Sequence, residues 1–216
     1  MTKKLFWEDP YKIECTAEVT SIDGKNIKLD QTIFFAFSGG QESDKGTISG
    51  INVVNAVKIG DKENIIDIVY ELEREPDFKV GDEVKVNIDK TRRLSLMKLH
   101  SGIHIAYYFI VEKFGQLKII GSNVAEDKAR VDFSTEKNLS ELDDVQKKLN
   151  TFLLEDHEIL RKSDEKLHDL KWWICGQWKM PCGGTHVRNT KEIGNVKLKR
   201  VTKGAGKERI ELYLTP

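Results

Sequence analysis

Alternation of apolar and polar residues dominates the first ninety positions. Ile13, Cys15, Ala17 and Val19 occupy every second position, as in a strand with one buried face. Asp23-Gly24-Lys25-Asn26 is a turn sequence, and Ile27 with Leu29 resumes the alternation, which predicts a hairpin. The β-branched and aromatic run Thr32–Phe37 and the stretches Ile65–Tyr70 and Val84–Ile88 add further strands, the last behind a Gly81-Asp82 turn. Short strands separated by turns predict a small antiparallel barrel or sandwich.

The period changes near residue 90. Leu94, Met97, Ile103, Tyr107 and Ile110 fall at helical spacing and predict a helix over Leu94–Val111, with Gly115 as its stop. Leu117–Ile120 and Ala129–Phe133 read as strands flanking a turn that contains Gly121-Ser122-Asn123. Ser140 is placed to cap a second helix carrying Leu142, Val145, Leu149 and Phe152. Residues 155–171 are rich in charge, and His157 and His168 within them read as surface residues. The cluster Lys171-Trp172-Trp173 to Trp178 reads as a core strand or packed loop. Val196 and Leu198, then Ile210, Leu212 and Leu214, alternate on either side of Lys203-Gly204-Ala205-Gly206-Lys207, which predicts a terminal hairpin. The expected architecture is α+β, with a barrel over residues 1–90 and a two-layer unit of helices and strands over 91–216.

Two short segments carry most of the chemistry. His100 and His104 are four residues apart and share one face of the predicted helix. Cys182 and His186 are also four apart, around the flexible pair Gly183-Gly184. Three imidazoles and a thiolate favour zinc over magnesium or calcium. Four protein ligands are usual for a structural zinc, whereas a catalytic one keeps a position open; spacing alone leaves both readings standing. The metalloprotease arrangement is absent, because Ser101 stands where a zincin has Glu. Phe37-Ser38-Gly39-Gly40-Gln41 is not a P-loop. It reads either as a long hairpin loop or as a backbone surface that a substrate can approach closely.

Composition narrows the setting. The chain has 216 residues, 39% of them hydrophobic, enough for a packed core. Its 35 basic and 35 acidic residues exclude a uniformly basic nucleic-acid coat but not a local patch. Such a patch is suggested between Arg188 and Arg209, where eight Lys or Arg face two Glu, with Lys197 and Lys199 on the polar side of a strand. An edge hairpin protected by lysines would look the same. Three irregularly spaced cysteines do not form a disulfide framework. No secretory signal or membrane span is apparent, so the cytoplasm is the expected compartment.

Taken together, Phe37-Ser38-Gly39-Gly40-Gln41 with Asp44, Gly46 and Ile48, the His100/His104 and Cys182/His186 pairs, Gly121-Ser122, Arg130-Val131-Asp132-Phe133, Glu192-Ile193-Gly194 and the segment Lys203–Ile210 resemble, in order, the motifs of the alanyl-tRNA synthetase editing region. The resemblance runs from about residue 5 to the C-terminus. Gly184-Thr185 favours the alanyl over the threonyl version, whose metal motif reads Cys-Arg-Gly-Pro-His. No aminoacylation domain precedes the motifs, so the chain resembles the freestanding AlaX proteins in the form with an N-terminal barrel. The first metal motif departs from the common His-Thr-Ala-Thr-His, reading His100-Ser101-Gly102-Ile103-His104.

The resemblance implies a deacylase, with one zinc per chain held by His100, His104, Cys182 and His186; a monomer is expected over an oligomer, though the sequence does not fix the oligomeric state. Its substrate would be tRNA(Ala) mischarged with serine or glycine. Ser101, Gln41 and Ser122 are the candidates for holding the aminoacyl group, and Gly39, Gly40, Asp132, Lys197 and Lys199 for other substrate contacts. Alanine is smaller than serine and enters any pocket serine enters. Discrimination therefore rests on the serine hydroxyl, with Ser101 as the expected partner and Gln41 assisting. The rival reading is a zinc-stabilised RNA-binding module without catalysis.

Overall fold

The computed structural model describes residues 1–60, 65–167, 170–204 and 206–215. The expected exposure of His168 and the Ala205 position of the terminal turn lie outside these residues. The strands are β1 (Lys3–Lys4), β2 (Glu14–Asp23), β3 (Asn26–Leu29), β4 (Gln31–Thr32), β5 (Gly46–Ile48), β6 (Ile51–Gly60), β7 (Ile65–Leu72) and β8 (Glu83–Ile88). Helix α1 (Lys90–Phe114) follows, then β9 (Lys118–Val124), β10 (Ala129–Ser134), α2 (Asp143–Leu154), β11 (Ile159–Ser163), β12 (Lys171–Cys175), β13 (Trp178–Pro181), β14 (Val196–Thr202) and β15 (Lys207–Leu214).

β2, β3, β7, β6, β5 and β8 close into an antiparallel six-stranded barrel. The alternating residues Cys15, Ala17 and Val19 point into it with Ile27, Leu29, Tyr70, Val84 and Val86. Thr32–Phe37 departs from expectation. Only Gln31–Thr32 is strand, and the buried residues Ile33–Ala36 follow an irregular path. From Phe34 to Phe37, side chains meet several backbone groups that a ladder would otherwise pair. Phe34 N–H donates to Thr32 Oγ1 (2.9 Å), Phe35 N–H to Asp44 Oδ2 (2.7 Å) and Phe37 N–H to Ser43 Oγ (2.8 Å).

The remainder is built on α1, which starts four residues before its expected first residue because Asp89 caps it, accepting from Arg92 N–H. One side of α1 covers the antiparallel sheet β14-β15-β10-β9 through Leu99, Ile103 and Ile110 against Val131, Phe133, Ile210 and Leu212. Gly121-Ser122-Asn123 is strand, not turn. β9 runs to Val124 with a bulge opposite Asp132/Phe133, and the turn follows at Ala125–Lys128. Helix α2 begins at Asp143, and Ser140 does not cap it. The charge-rich stretch contributes β11 of a three-stranded sheet, β11-β12-β13, which brings Trp173 into the core. His157 stacks on Phe152 and bonds Glu155 (2.8 Å).

Two hydrophobic clusters result, one drawn from residues 5–88 and one from 96–212. A buried ion pair joins them: Arg93 on α1 reaches Asp44 through Nε (2.9 Å) and Nη2. No helix among the described residues is long and apolar enough to cross a membrane.

Candidate metal centre

Helix α1 presents His100 and His104 one turn apart, their rings 4.7 Å between centroids. After β13 the chain turns through Cys182–His186 and brings the other two donors to the same point. One ligand atom from each of the four residues lies within 4.8 Å of all the others. Cys182 Sγ stands 3.5 Å from His100 Nε2 and 3.2 Å from His186 Nε2. Tetrahedral zinc, with bonds of about 2.3 Å to sulfur and about 2.0 Å to nitrogen, calls for S···N edges of about 3.5 Å.

The loop is held by side chains from three directions. Gln41 Oε1 accepts Thr185 N–H (2.9 Å), Trp7 Nε1 donates to Gly183 O (2.8 Å) and Arg161 Nη1 donates to Gly184 O (3.3 Å). Gln41 also fixes a tautomer. Its Oε1 faces the obligate donor Thr185 N–H, and its Nε2 donates to Thr185 Oγ1 (2.9 Å). His100 Nδ1, 2.8 Å from the same Oε1, is therefore the protonated nitrogen, and Nε2 keeps its lone pair toward Cys182. Ser101 Oγ lies 3.1 Å from His186 Nδ1 and accepts Val187 N–H (3.2 Å), which positions the His186 ring.

Burial pushes His100 down to about 3 and holds His104 and His186 well below the ordinary histidine range, with the neighbouring imidazoles adding to it. All three are neutral, as ligands must be. Burial also raises the Cys182 thiol to about 11. A thiolate there needs a cation beside it. His104 Nδ1 is buried without a hydrogen-bond partner among the described residues. Donor set, spacing and orphaned nitrogen all fit a soft-to-borderline divalent cation, and the four residues form a candidate metal site.

A cavity of about 820 Å³ opens on this cluster. His100, His104 and Cys182 form part of its wall, and Tyr107, Tyr108, Ile119 and Val131 form another part. Gly39 and Ser122 line it from the barrel loop and β9. The loop approaches β9 closely: a Cβ on Gly40, whose φ is +87°, would stand 2.9 Å from Ser122 O. Gln41 and Ser101 are fully buried behind the ligands and line no part of the cavity. Of the three side chains expected at the aminoacyl group, Ser122 alone faces it. Asp132 lies elsewhere, bound by Arg130 and by Arg209 (2.6 Å). Lys197 and Lys199 are exposed on β14, away from the cavity. Their basic segment is partly neutralised, since Arg188 pairs with Asp9 (3.0 Å), Arg200 with Glu208 and Arg209 with Asp132. Arg161 and Trp7 were not anticipated, and no short-range pattern marks them; Thr185 was read only as a mark of the alanyl version, not as the partner of Gln41.

Fold and site together define an α+β protein with a candidate metal site, in which a β-barrel loop helps to orient the candidate ligands of an adjoining helix-and-sheet unit. Residues 7–92 match the family model of class II (A) tRNA synthetases, and residues 174–211 match the second additional domain of threonyl and alanyl tRNA synthetases. The chain is 37% identical to the alanyl-tRNA editing protein AlaX-M of Pyrococcus horikoshii, over 99% of this chain and 98% of that one. It is 30% identical to AlaX-M of Saccharolobus solfataricus over the whole of both. It is 31% identical to the alanine–tRNA ligase of Sulfurisphaera tokodaii, over 94% of this chain but 25% of the ligase. The chain belongs to the AlaX-M family of alanyl-tRNA editing proteins.

Proposed function

We propose that the protein is an aminoacyl-tRNA deacylase acting in trans, which hydrolyses the ester of tRNA(Ala) mischarged with serine or glycine, with one zinc ion at the His100/His104/Cys182/His186 site. The observation that carries this reading is the cavity itself: three of the four ligands form its wall, so the site is accessible to a substrate rather than closed off as a staple. Full-length similarity to the AlaX-M proteins supports it. The division into a barrel over residues 1–90 and a metal-bearing unit over 91–216 belongs to the same reading, supported by the two separate hydrophobic clusters.

A zinc ion held by His100, His104, Cys182 and His186 would supply Lewis-acid polarisation of the ester, activation of water or an anchor for the α-amino group. The chain's own residues do the rest. Gln41 and Ser101 orient His100 and His186. Tyr107, Tyr108, Ile103 and Val131 exclude bulk water from one side of the cavity. Ser122, on the wall beside the barrel loop, is the side chain placed to meet a serine hydroxyl. Alanine, which fits but leaves that polar wall without its partner, is disfavoured.

Purified protein should deacylate Ser-tRNA(Ala) much faster than Ala-tRNA(Ala), and chelation should abolish the activity. A stable RNA complex without hydrolysis would favour the non-catalytic rival. Two serine variants divide the roles. Ser122→Ala should narrow the Ser/Ala rate ratio severalfold with metal content unchanged, the loss expected of one hydrogen bond of about 1 kcal/mol. Ser101→Ala should instead weaken metal binding by about 10–100-fold and slow both substrates alike. Interchanged phenotypes would show the two roles to be misassigned.

A further inference from the structure

A second cavity, of about 500 Å³, lies against the back of the metal-binding loop. Its wall comprises Lys3, Lys4, Arg161 and Lys171, with Glu8, which pairs with Lys3 (2.9 Å), as the one carboxylate among its described lining residues. In a chain of zero formal charge this is a marked local excess. Trp7 and Lys171 line both this cavity and the larger one, so the two are neighbours sharing a wall. The ammonium groups of Lys4 and Lys171 lie 5.6 and 4.6 Å from the Trp7 ring centroid.

Arg161 is the centre of the feature. Its guanidinium donates to Trp7 O and Gly184 O, two main-chain carbonyls, and to no carboxylate among the described residues. A guanidinium has five N–H donors, and those two bonds use one from each terminal nitrogen. Burial lowers Arg161 only to about 10, so it stays cationic at neutral pH. It is half-buried, and the Cys182 thiol is the ionisable neighbour that favours its charge; a second anion would add to that. The planar donor fork, with Lys3 and Lys171 around the rim, matches phosphate oxygens.

We propose that this cavity binds a backbone phosphodiester of the single-stranded 3′ end of the RNA substrate. The proposal rests on the deacylase reading above, which places the terminal ester at the metal. The strand must then leave the larger cavity past its rim, and the shared Trp7 wall puts the basic cavity beside that path. A phosphate on Arg161 also bears on the metal loop through Gly184 O, so that holding the strand helps to hold the loop.

The test compares two substrates: Ser-tRNA(Ala), and 3′-seryl-adenosine, which carries the same ester and no phosphate. Lys3→Glu is a surface change that spares the Arg161 bonds and breaks only the exposed Lys3–Glu8 pair; the Lys3 side chain is 60% exposed. It should raise KM for the tRNA about tenfold and make the salt dependence shallower by about one unit of slope, with seryl-adenosine hydrolysis unchanged. Arg161→Gln should raise the tRNA KM further, and Arg161→Lys should recover part of the loss. Zinc content checks that the loop survives. Equal losses on both substrates with an unchanged salt slope would reduce Arg161 to structural support and overturn the proposal, as would a Lys3→Glu protein with the parent's KM and slope. If the parent cleaves neither substrate, the deacylase reading fails by itself. Binding of an uncharged RNA ending in CCA, with the same variants and salt series, then decides the phosphate site.

Discussion

Gly184→Ala should empty the metal site and cut deacylation at least about 100-fold, while Gly183→Ala, one residue earlier, should leave both nearly intact. A Cβ built on Gly184 would stand 2.3 Å from His100 Cε1, 2.6 Å from its Nδ1 and 2.7 Å from Gln41 Oε1. None of these atoms can yield cheaply. The His100 ring is fixed between Gln41 and Cys182, and Gln41 is committed to Thr185 as well. Either the loop retreats with Cys182 and His186, or His100 rotates away and loses the bond that sets its tautomer. A displacement of about 1 Å at a reacting centre costs on the order of 100-fold in rate, and loss of a ligand's supporting bond about 10–100-fold in metal affinity. A Cβ on Gly183 meets only Trp7 Cζ2, at 3.8 Å, an ordinary contact. Zinc content by metal analysis and single-turnover deacylation of Ser-tRNA(Ala) measure the pair. A Gly184→Ala protein with one zinc per chain and a rate within threefold of the parent would refute the account of the loop.

The glycine pair could be read from sequence as a flexible turn, but not which glycine matters or why. That depends on His100 and Gln41, which lie far along the chain from residue 184. The same division runs through the fold and the site. His100 and His104 were legible because four residues on a helix return to one face. Ser101 was assigned to substrate by its adjacency to His100, yet neighbouring helical residues point about 100° apart, and Ser101 turns toward His186 instead. The barrel followed from period-two alternation, but Ile33–Phe37 carry the same apolar signal without a ladder, with Thr32, Asp44 and Ser43 accepting the N–H groups of Phe34, Phe35 and Phe37. At β9 a bulge shifts the alternation, so a Gly-Ser-Asn segment that reads as a turn continues as strand. The basic stretch after Arg188 looked free because Asp9 and Asp132, which neutralise two of its arginines, are distant in sequence. Local periodicity was legible throughout; long-range polar partners were not.

Arg93→Met should destabilise the protein by about 3–5 kcal/mol, the cost of leaving a buried charge without its partner. Arg93 occupies the first turn of α1, where the helix dipole disfavours cations, and the turn holds Lys90 and Arg92 besides but no acid. Its position is explained by what it reaches. Both Arg93 and Asp44 side chains are 1% exposed. Arg93 also donates to Pro10 O (2.8 Å) and Ile33 O (2.6 Å), and Asp44 accepts Phe35 N–H (2.7 Å). The methionine variant strands the Asp44 carboxylate with one neutral donor and leaves two buried carbonyls short of a partner. Arg93→Met/Asp44→Asn should recover part of the loss, because a neutral amide is cheaper to bury unpaired than a carboxylate. For a chain of this size the single variant should melt roughly 6–20 °C lower. The consequence reaches the metal, because Arg93 lies seven residues, about two turns, before His100 and fixes α1 against the barrel segment that carries Gln41. Metal affinity and deacylation should therefore fall in the single variant even well below its melting temperature, and rise again in the double. Denaturant unfolding of parent, both singles and the double gives the coupling energy of the pair. A coupling under about 1 kcal/mol, or an Arg93→Met protein as stable as the parent, would remove this ion pair as the joint between the barrel and the metal-bearing helix.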